Sequence, residues 1–571
     1  MAENWFQREL LTPRRLVFNV IFYGLHLFLF AYGWFSQARL PAGIPEHPRP
    51  DETNTKLSGL NTLKFSVWIS RGAGLVLAFD GALILVPMLR NVIRVVRPKL
   101  AWLFPADENI WFHRQVAYSM AFWAMVHTTA HYVNFINVER TQIRKETALD
   151  IHYTQPGGIT GHFMLLIMVL IYTTASQKIR TQCFEAFWYT HHLAFFFMLG
   201  LYTHATGCFV RDTVDPAYTS TFPFYNPEHC LGYMSWRFTI WPGLMYFGER
   251  AYREFRARRA TRLSKVLVHP SGAMELRIVK PSFKYTPGQW LFIQVPEISR
   301  FQWHPFTITS APKDSYVSVH IRQVGDFTHA LGERLGVGPA QVAMMTATAM
   351  GGTETEKREG TRGDFIELDT AAAANLPAVR IDGPFGAPAE DGFNVQVAVL
   401  IGAGIGVTPF ASILKDIWYR QRENRIGSLQ RVEFFWICRD APSFGWFQSV
   451  LQEVEAAQAD PNFLRISIYL TQKINEDMMW NIVVNDPGAA YDPLTLLRTR
   501  TIFGRPDWMS IYGRLRWAIE GGDYLPGSSA QLQTKVGTYF CGPGPLGKAV
   551  YEAIKHHSGP TVAFSFVKEH F

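Results

Sequence analysis

Cysteine is scarce in this chain: five in 571 residues, none at a spacing that would hold a metal. Charge is scarce too, at 18% of residues, and the formal net charge of +8 is small for the length. Part of that charge sits in clusters beside apolar runs, so it reads as membrane topology and not as a nucleic-acid surface. No small-residue cleavage site follows the first apolar run, which makes that run an uncleaved span and not a secretory leader.

What the chain does have is two unlike halves, whose average gives a near-zero mean hydropathy. Residues 1–255 carry apolar runs near 16–36, 65–89, 115–137, 159–177, 186–207 and 236–249, six spans with the last one short. Arg8, Arg14 and Arg15 precede the first run. Arg90, Arg94, Arg97 and Lys99 separate the second from the third, and Lys178 and Arg180 the fourth from the fifth. Arg250, Arg253, Arg256, Arg258 and Arg259 follow the sixth. If the spans alternate, all four clusters share one face, which is then cytosolic, with both termini on it. The expectation is a multi-pass protein of the plasma membrane or an endomembrane, in contact with lipid. The outer loops hold no Asn-x-Ser/Thr acceptor, and Cys208 and Cys230 fall in one of them, where a disulfide is open to them.

The third and fifth runs carry spaced histidines. A neutral imidazole is a good axial ligand for haem iron, and a polar ring inside lipid needs such a reason. His113 and His127 are 14 residues apart, which returns within about 40° of one helix face about 21 Å further on. His191 and His204 are 13 apart and land about 140° off, so either that helix is locally unwound, with Gly200 the weak point, or the pairing is wrong. Both spans run outward, which puts His113 with His191 near the cytosolic face and His127 with His204 near the outer one. Ordinary interhelical hydrogen bonding is the competing account. Arg71 lies in the outer part of the second span, where a haem propionate or snorkelling to the interface would satisfy it. His131 sits one turn beyond His127. Asp80 has no partner visible in the sequence.

After residue 260 short alternating strands (KVLVHP, MELRIV, WLFIQV, YVSVHIRQV) suggest a small barrel. Arg322 and a helix capped at Thr328 could take a pyrophosphate. From about 395 the pattern is α/β: VAVLIGAGIGVTPFASILKDIW reads as a buried strand, a glycine turn and a helix. VEFFWICRD and VGTYFCGPGPLG read as further central strands. Arg439 and Arg505 are the residues that would hold a 2′-phosphate, with solvated surface charge as the alternative. Residues 344–377 have the composition of an inserted mobile loop, and 473–500 are similar but less extreme.

FHRQVAYS, VHTTAH, FWYTHHL, HPFTITSAP, HIRQVGDFT, DGPFG, VLIGAGIGVTPFASILK, CRD, FGRPDW, CGP and FVKEHF together resemble the NADPH oxidase family, most closely its phagocyte-type catalytic subunit (flavocytochrome b heavy chain). The resemblance runs from the second span to the last residue. It implies a six-helix transmembrane bis-haem bundle (1–255), an FAD-binding β-barrel (260–388) and an α/β NADPH-binding domain (392–571), the last two forming a ferredoxin-reductase-like module. It implies two b-type haems, His113 and His191 on the inner one, His127 and His204 on the outer. FAD would lie against His304, Pro305, Phe306, Thr307, His320, Ile321, Arg322, Thr328, Gly383 and Pro384. NADPH would lie against Gly402, Gly404, Gly406, Thr408, Pro409, Cys438, Arg439, Arg505, Cys541, Gly542 and Pro543. Cys541 joins the catalytic set, and the terminal Phe571 covers the flavin.

Arg71 and His131 match the positions where oxygen is reduced beside the outer haem. The family also implies a small membrane partner subunit, together with cytosolic activators that include a small GTPase. The 344–377 insertion departs from the phagocyte pattern and fits fungal members. No calcium-binding loop precedes the first span. Electron counting orders the cofactors: NADPH gives two electrons at once, haem iron takes one, and FAD can do both. The acceptor would be O₂ and the product superoxide. A ferric or cupric chelate reductase is the nearest competitor, and the 13-residue spacing argues against it. A non-catalytic scaffold or proton channel is the competitor from another class, and the intact flavin and nucleotide motifs argue against that.

Overall fold

The computed structural model describes residues 13–39, 59–100, 108–141, 147–204, 236–269, 272–337, 366–367, 376–386, 395–439, 444–456, 460, 462–472, 480, 490–492, 494–495, 497–522, 524–525 and 533–569. Two units divide the chain, Met1–Ala251 and Tyr252–Phe571.

The first unit is helical. Its helices are α1 (Pro13–Ala38), α2 (Phe65–Leu83), α3 (Arg90–Leu100), α4 (Asn109–Thr141), α5 (Ala148–Thr154), α6 (Pro156–Thr174), α7 (Gln177–Gln182), α8 (Phe184–His191) and α9 (Ala194–His204), and α10 (Trp236–Ala257) crosses its boundary. Among the described residues three stretches are long and apolar enough to cross a membrane alone: Arg15–Ala38, Phe65–Met88 and Pro156–Thr174. α4 has the length, at 33 residues, but carries buried Gln115, Ser119 and Asn134 along with its histidines. α10 holds Pro242 in its interior and turns basic in its second half. Leu27, Phe28, Tyr32 and Phe35 on α1 are exposed, as side chains that face lipid should be. Small residues bring α1 and α2 close: a Cβ on Gly72 would stand 2.7 Å from the Phe30 carbonyl, and one on Gly33 2.9 Å from Gly72 Cα.

The fifth apolar run is two helices, α8 and α9, joined through His192 and Leu193. Around that joint the amide bonds run to the third residue back (Leu193 to Thr190, 3.0 Å; Phe195 to His192, 3.1 Å). This is overwinding, not the unwinding expected at Gly200. Each such residue advances about 120° instead of about 100°, the direction needed to bring a 13-residue pair toward one face. Gly200 lies inside regular helix, where a Cβ would meet Met164 Cγ at 2.8 Å, so it serves the α6–α9 contact.

In the second unit β1 (Arg262–Val268), β2 (Met274–Val279), β3 (Trp290–Gln294), β4 (His304–Thr307), β5 (Val317–Ile321), β6 (Ile366–Glu367) and β7 (Arg380–Phe385) form two antiparallel sheets, ordered β5-β2-β1-β6 and β4-β3-β7. Leu276, Ile278, Leu291, Ile293 and Val319 pack between them. The HPFT run is strand β4. The third sheet is parallel: β8 (Val397–Ala403), β9 (Arg431–Cys438), β10 (Leu464–Leu470), β11 (Ile502–Phe503), β12 (Thr534–Cys541) and β13 (Val562–Lys568), ordered β11-β10-β9-β8-β12-β13. Sequence order therefore reverses between β8 and β12, the switch point where such sheets bind ligands. Ser412 Oγ donates to the Ser310 carbonyl at 2.7 Å, and Tyr419 donates to Asp314 at 2.9 Å, tying barrel to sheet.

Part of the 473–500 stretch is more ordered than its composition suggests. Asp492, nearly buried, accepts from the amides of Leu494, Thr495 and Thr501, and Leu497 joins the sheet's core. Asp382 in DGPFG is also buried, and takes Arg253 Nε at 2.6 Å and Arg256 Nη2 at 2.6 Å. Replacing it strands two guanidiniums. Asp382→Asn should destabilise the second unit by about 3 kcal/mol, read as a lower urea midpoint of tryptophan fluorescence; an unchanged midpoint would contradict the pairing's role.

Candidate functional site

The histidines of α4 face those of α8 and α9 in two couples. The ring centroids of His113 and His191 are 6.0 Å apart, those of His127 and His204 6.1 Å. Two imidazoles bound through Nε2 to one metal at about 2 Å each, with ring centres roughly 1 Å behind, have centroids about 6 Å apart. The separation is too large for ring contact and fits one metal ion between each couple.

Hydrogen bonds set the tautomers. His113 Nδ1 donates to the Ile84 carbonyl at 2.9 Å, and His127 Nδ1 to the Ser70 carbonyl at 2.8 Å. Thr160 donates its hydroxyl proton to the Pro156 carbonyl at 2.5 Å, so it must accept from His204 Nδ1 at 2.8 Å. Each of these three rings is left with a lone pair on Nε2, the nitrogen a metal would take. His191 Nδ1 is buried and has no hydrogen-bond partner among the described residues.

A cavity of about 1670 Å³, counting its open mouth, lies beside the second couple. His127 and His204 line it with Arg71, His131, Tyr132, His152 and His162. Glycines make space for the ligating rings: a Cβ on Gly74 would stand 3.2 Å from His127 Cε1, and one on Gly161 3.3 Å from His204 Cε1. His131 stacks edge-on against His127, centroids 4.5 Å apart. Arg71 and His131, expected together from the sequence, therefore share one cavity wall. The residues present fit a bis-imidazole haem here.

Asp80 has partners that the sequence did not name. His26 Nε2 lies 2.7 Å from its Oδ1, and Ser119 donates to its Oδ2 at 2.8 Å. His26 sits in a run that read as a plain apolar span, and only the packing of α1 on α2 reveals the pair.

On the flavin side, His304 stacks on Phe327 at 3.8 Å, and burial pushes its pKa down to about 4, so the ring is neutral. His320 points inward, Nδ1 2.9 Å from Thr309 Oγ1, and burial holds it down at about 3. It braces the barrel beside Glu275 and leaves the exposed Arg322 as the charged group of the HIR run. Thr328 is not the helix cap. Gly325 caps α11 (Asp326–Arg334), and Thr328, three residues on, reaches back to accept from the amides of Val324 and Gly325, both at 3.0 Å. Ile321 is buried, Pro305 is exposed, and Gly383–Pro384 lie in β7 beside β3, with Leu291 Cβ 3.2 Å from where a Gly383 Cβ would be.

At the switch point Gly402 closes β8, and Gly404 (φ +56°) and Gly406 form the turn into α12 (Thr408–Arg422). A Cβ on Gly406 would stand 2.6 Å from the Cys541 carbonyl, and one on Gly542 2.9 Å from Ala403 Cβ. The glycine turn and CGP (Cys541, Gly542, Pro543) thus form one crevice floor, with Thr408 and Pro409 starting the helix behind it. Arg439 follows buried Cys438 at the end of β9, Arg505 follows β11, and both are exposed at the same edge of the sheet. Burial pushes the Cys541 thiol up to about 12, so it stays protonated and is no nucleophile. Phe571, Cys208, Cys230 and residues 344–365 and 368–375 lie outside the described residues.

Comparison with known proteins gives three family matches along the chain: the ferric reductase like transmembrane component over residues 73–202, the FAD-binding domain over 258–389, and the ferric reductase NAD binding domain over 395–555. A superoxide-generating NADPH oxidase heavy chain of Dictyostelium discoideum is 34% identical over 524 residues, covering 89% of this chain and 90% of that one. NADPH oxidase 3 of Homo sapiens is 32% identical over 562 residues, 88% of this chain and 91% of its own. NADPH oxidase 1 of Mus musculus is 30% identical over 625 residues, 100% and 95%.

The crevice geometry generates two expectations. Gly406→Ala should weaken nucleotide binding at least tenfold with flavin and haem content unchanged, measured by nucleotide titration; full affinity would mean the floor tolerates a methyl group. Alkylation of Cys541, followed by mass spectrometry of the labelled peptide, should run at least tenfold slower between pH 7 and 9 than that of an ordinary thiol of pKa about 8.5, because far less of it is thiolate.

Proposed function

The chain belongs to the NADPH oxidase family, and from that premise we propose that it draws electrons from cytosolic NADPH and delivers them across a membrane to O₂, releasing superoxide. The observation that carries this reading is the two imidazole couples at 6.0 and 6.1 Å, the second opening on a cavity walled by Arg71 and His131. FAD and two haems, when bound, split the hydride of NADPH into single electrons and relay them one at a time.

The chain's own residues do the rest. The amides of the Gly402–Gly406 turn and the start of α12 receive phosphate, and Arg439 and Arg505 receive a 2′-phosphate. His304 and Phe306 of β4 and Arg322 beyond β5 seat the flavin. His113 and His191 hold the inner haem, His127 and His204 the outer. With both rings of a couple used as ligands, O₂ is left the cavity wall. There Arg71, fixed in a low-dielectric surrounding, favours the anionic product over the neutral reactant.

The basic clusters flanking the spans support a cytosolic side for both termini and for the second unit. A small membrane partner, with cytosolic activators that include a small GTPase, completes this proposal, drawn from the family resemblance. Chelate reduction is the weaker reading, because the overwound joint at His192–Leu193 accommodates the 13-residue spacing of the oxidase pattern.

Purified protein given NADPH and FAD should consume O₂, and superoxide dismutase should return part of it; no consumption would sink the reading. His127→Leu or His204→Leu should remove one haem per chain and His113→Leu or His191→Leu the other, read as haem per flavin. Arg439→Ala or Arg505→Ala should weaken NADPH binding more than NADH, by about 1.5–3 kcal/mol each, or roughly tenfold or more. Equal losses for both nucleotides would give the arginines another job.

A further inference from the structure

One face of α1 is polar where a membrane helix has no need to be. Arg15, Asn19, Tyr23 and His26 recur at intervals of four, four and three, which aligns them along the helix. They meet polar residues of α4 and the turn before it. Arg15 Nε donates to Glu108 at 2.6 Å, Tyr23 donates to Gln115 Oε1 at 3.1 Å, and His26 reaches Asp80, which Ser119 also bonds. Asp80 is 0% exposed and His26 1%. Both amide atoms of Asn19 and Nε2 of Gln115 are buried with no partner among the described residues, the condition that calls for water. Beyond His26 the seam ends: Ala73, Val76 and Trp123 pack there with Leu29 and Phe30. Among the described residues the polar face thus runs from Arg15 to the Asp80–His26 pair and stops there.

The path stops between the two imidazole couples. Ser119 lies six residues after His113 and eight before His127, about 9 and 12 Å along α4. The titratable groups around the Asp80–His26 pair are Tyr23 on α1, Tyr118 on α4 and Tyr172 on α6. An electron arriving on either side adds negative charge near a buried carboxylate, an arrangement that low dielectric makes costly.

Resting on the function proposed above, we propose that the Asp80–His26 pair is a proton-holding site, served from the cytosolic face along the Arg15–Asn19–Tyr23 seam. It takes up one proton when an electron reduces haem iron from Fe(III) to Fe(II), and returns it to the cytosol when that electron passes to O₂. The net reaction, NADPH + 2 O₂ → NADP⁺ + H⁺ + 2 O₂•⁻, is unchanged.

The test is spectroelectrochemical titration of the haems in the purified full-length holoprotein from pH 5.5 to 8.5. In the wild type the equilibrium constant for reduction should rise several-fold per tenfold rise in proton concentration across part of that range. Asp80→Asn should flatten the response. Ser119→Ala, which removes a hydrogen bond favouring the charged carboxylate, should move the responsive window to higher pH, and it keeps the proposal testable if Asp80→Asn does not fold. A pH-independent wild type, a slope that persists in Asp80→Asn, or a window unmoved in Ser119→Ala overturns the proposal. Absence of a two-haem bis-imidazole spectrum in the wild type would instead overturn the functional reading beneath it.

Discussion

The first unit depends on the cost of a polar group with no water to turn to. An imidazole in hydrocarbon must place both nitrogens, and the fold disposes of one by a fixed bond: His113 to Ile84, His127 to Ser70, His204 to Thr160. Those bonds fix more than a tautomer. They hold each ring plane while Nε2 faces the opposite helix across about the width of a metal ion with its two bonds. α2 supplies two of the three acceptors, through the Ser70 carbonyl and the Ile84 carbonyl just past its end. Its packing on α4 therefore sets the geometry of both couples, although α2 carries no ligand itself.

The second unit solves a different problem, how to bring a phosphate close to backbone. Parallel strands all end on one edge, and reversal of strand order between β8 and β12 opens a crevice there. Side chains would fill it, so the floor is glycine. Gly406 faces the Cys541 carbonyl and Gly542 faces Ala403, at distances no Cβ would survive. The thiol of Cys541, buried and protonated, then reads as a neutral wall of that crevice.

Legibility followed the same physics. Spaced histidines could be read from sequence because lipid makes every intramembrane polar residue informative, and the strands before the glycine turn because buried parallel strands are continuous apolar runs. Asp80 was legible as a problem but not its answer, since His26 lies 54 residues away and only helix packing joins them. The helix joint at His192–Leu193 was misplaced to Gly200, because overwinding there needs no glycine or proline and leaves no local signature. The cap at Gly325 was missed because Thr328, a good capping residue by type, does its work from the third helical position. β10 ends in no quoted motif, and β13 shows in the sequence only through the terminal FVKEHF, yet both complete the sheet that positions β8 and β12.

On α4 the polar seam and the cavity beside His127 use different faces. Gln115 turns toward Tyr23 of α1 and Ser119 toward Asp80 of α2, while Met120, Ala124, His127 and His131 recur at intervals of four, three and four toward the cavity. Ser119 and Met120 are neighbours in sequence but point about 100° apart. Ala73, Val76 and Trp123 fill the space above the seam's end, so water reaching Asp80 meets packed apolar side chains before it could go further. On the function proposed above, an anion formed beside Arg71 would have a positive charge to stabilise it and no proton delivered along the seam. Protonation would commit superoxide to dismutation, and the separation of faces would let it leave as the anion.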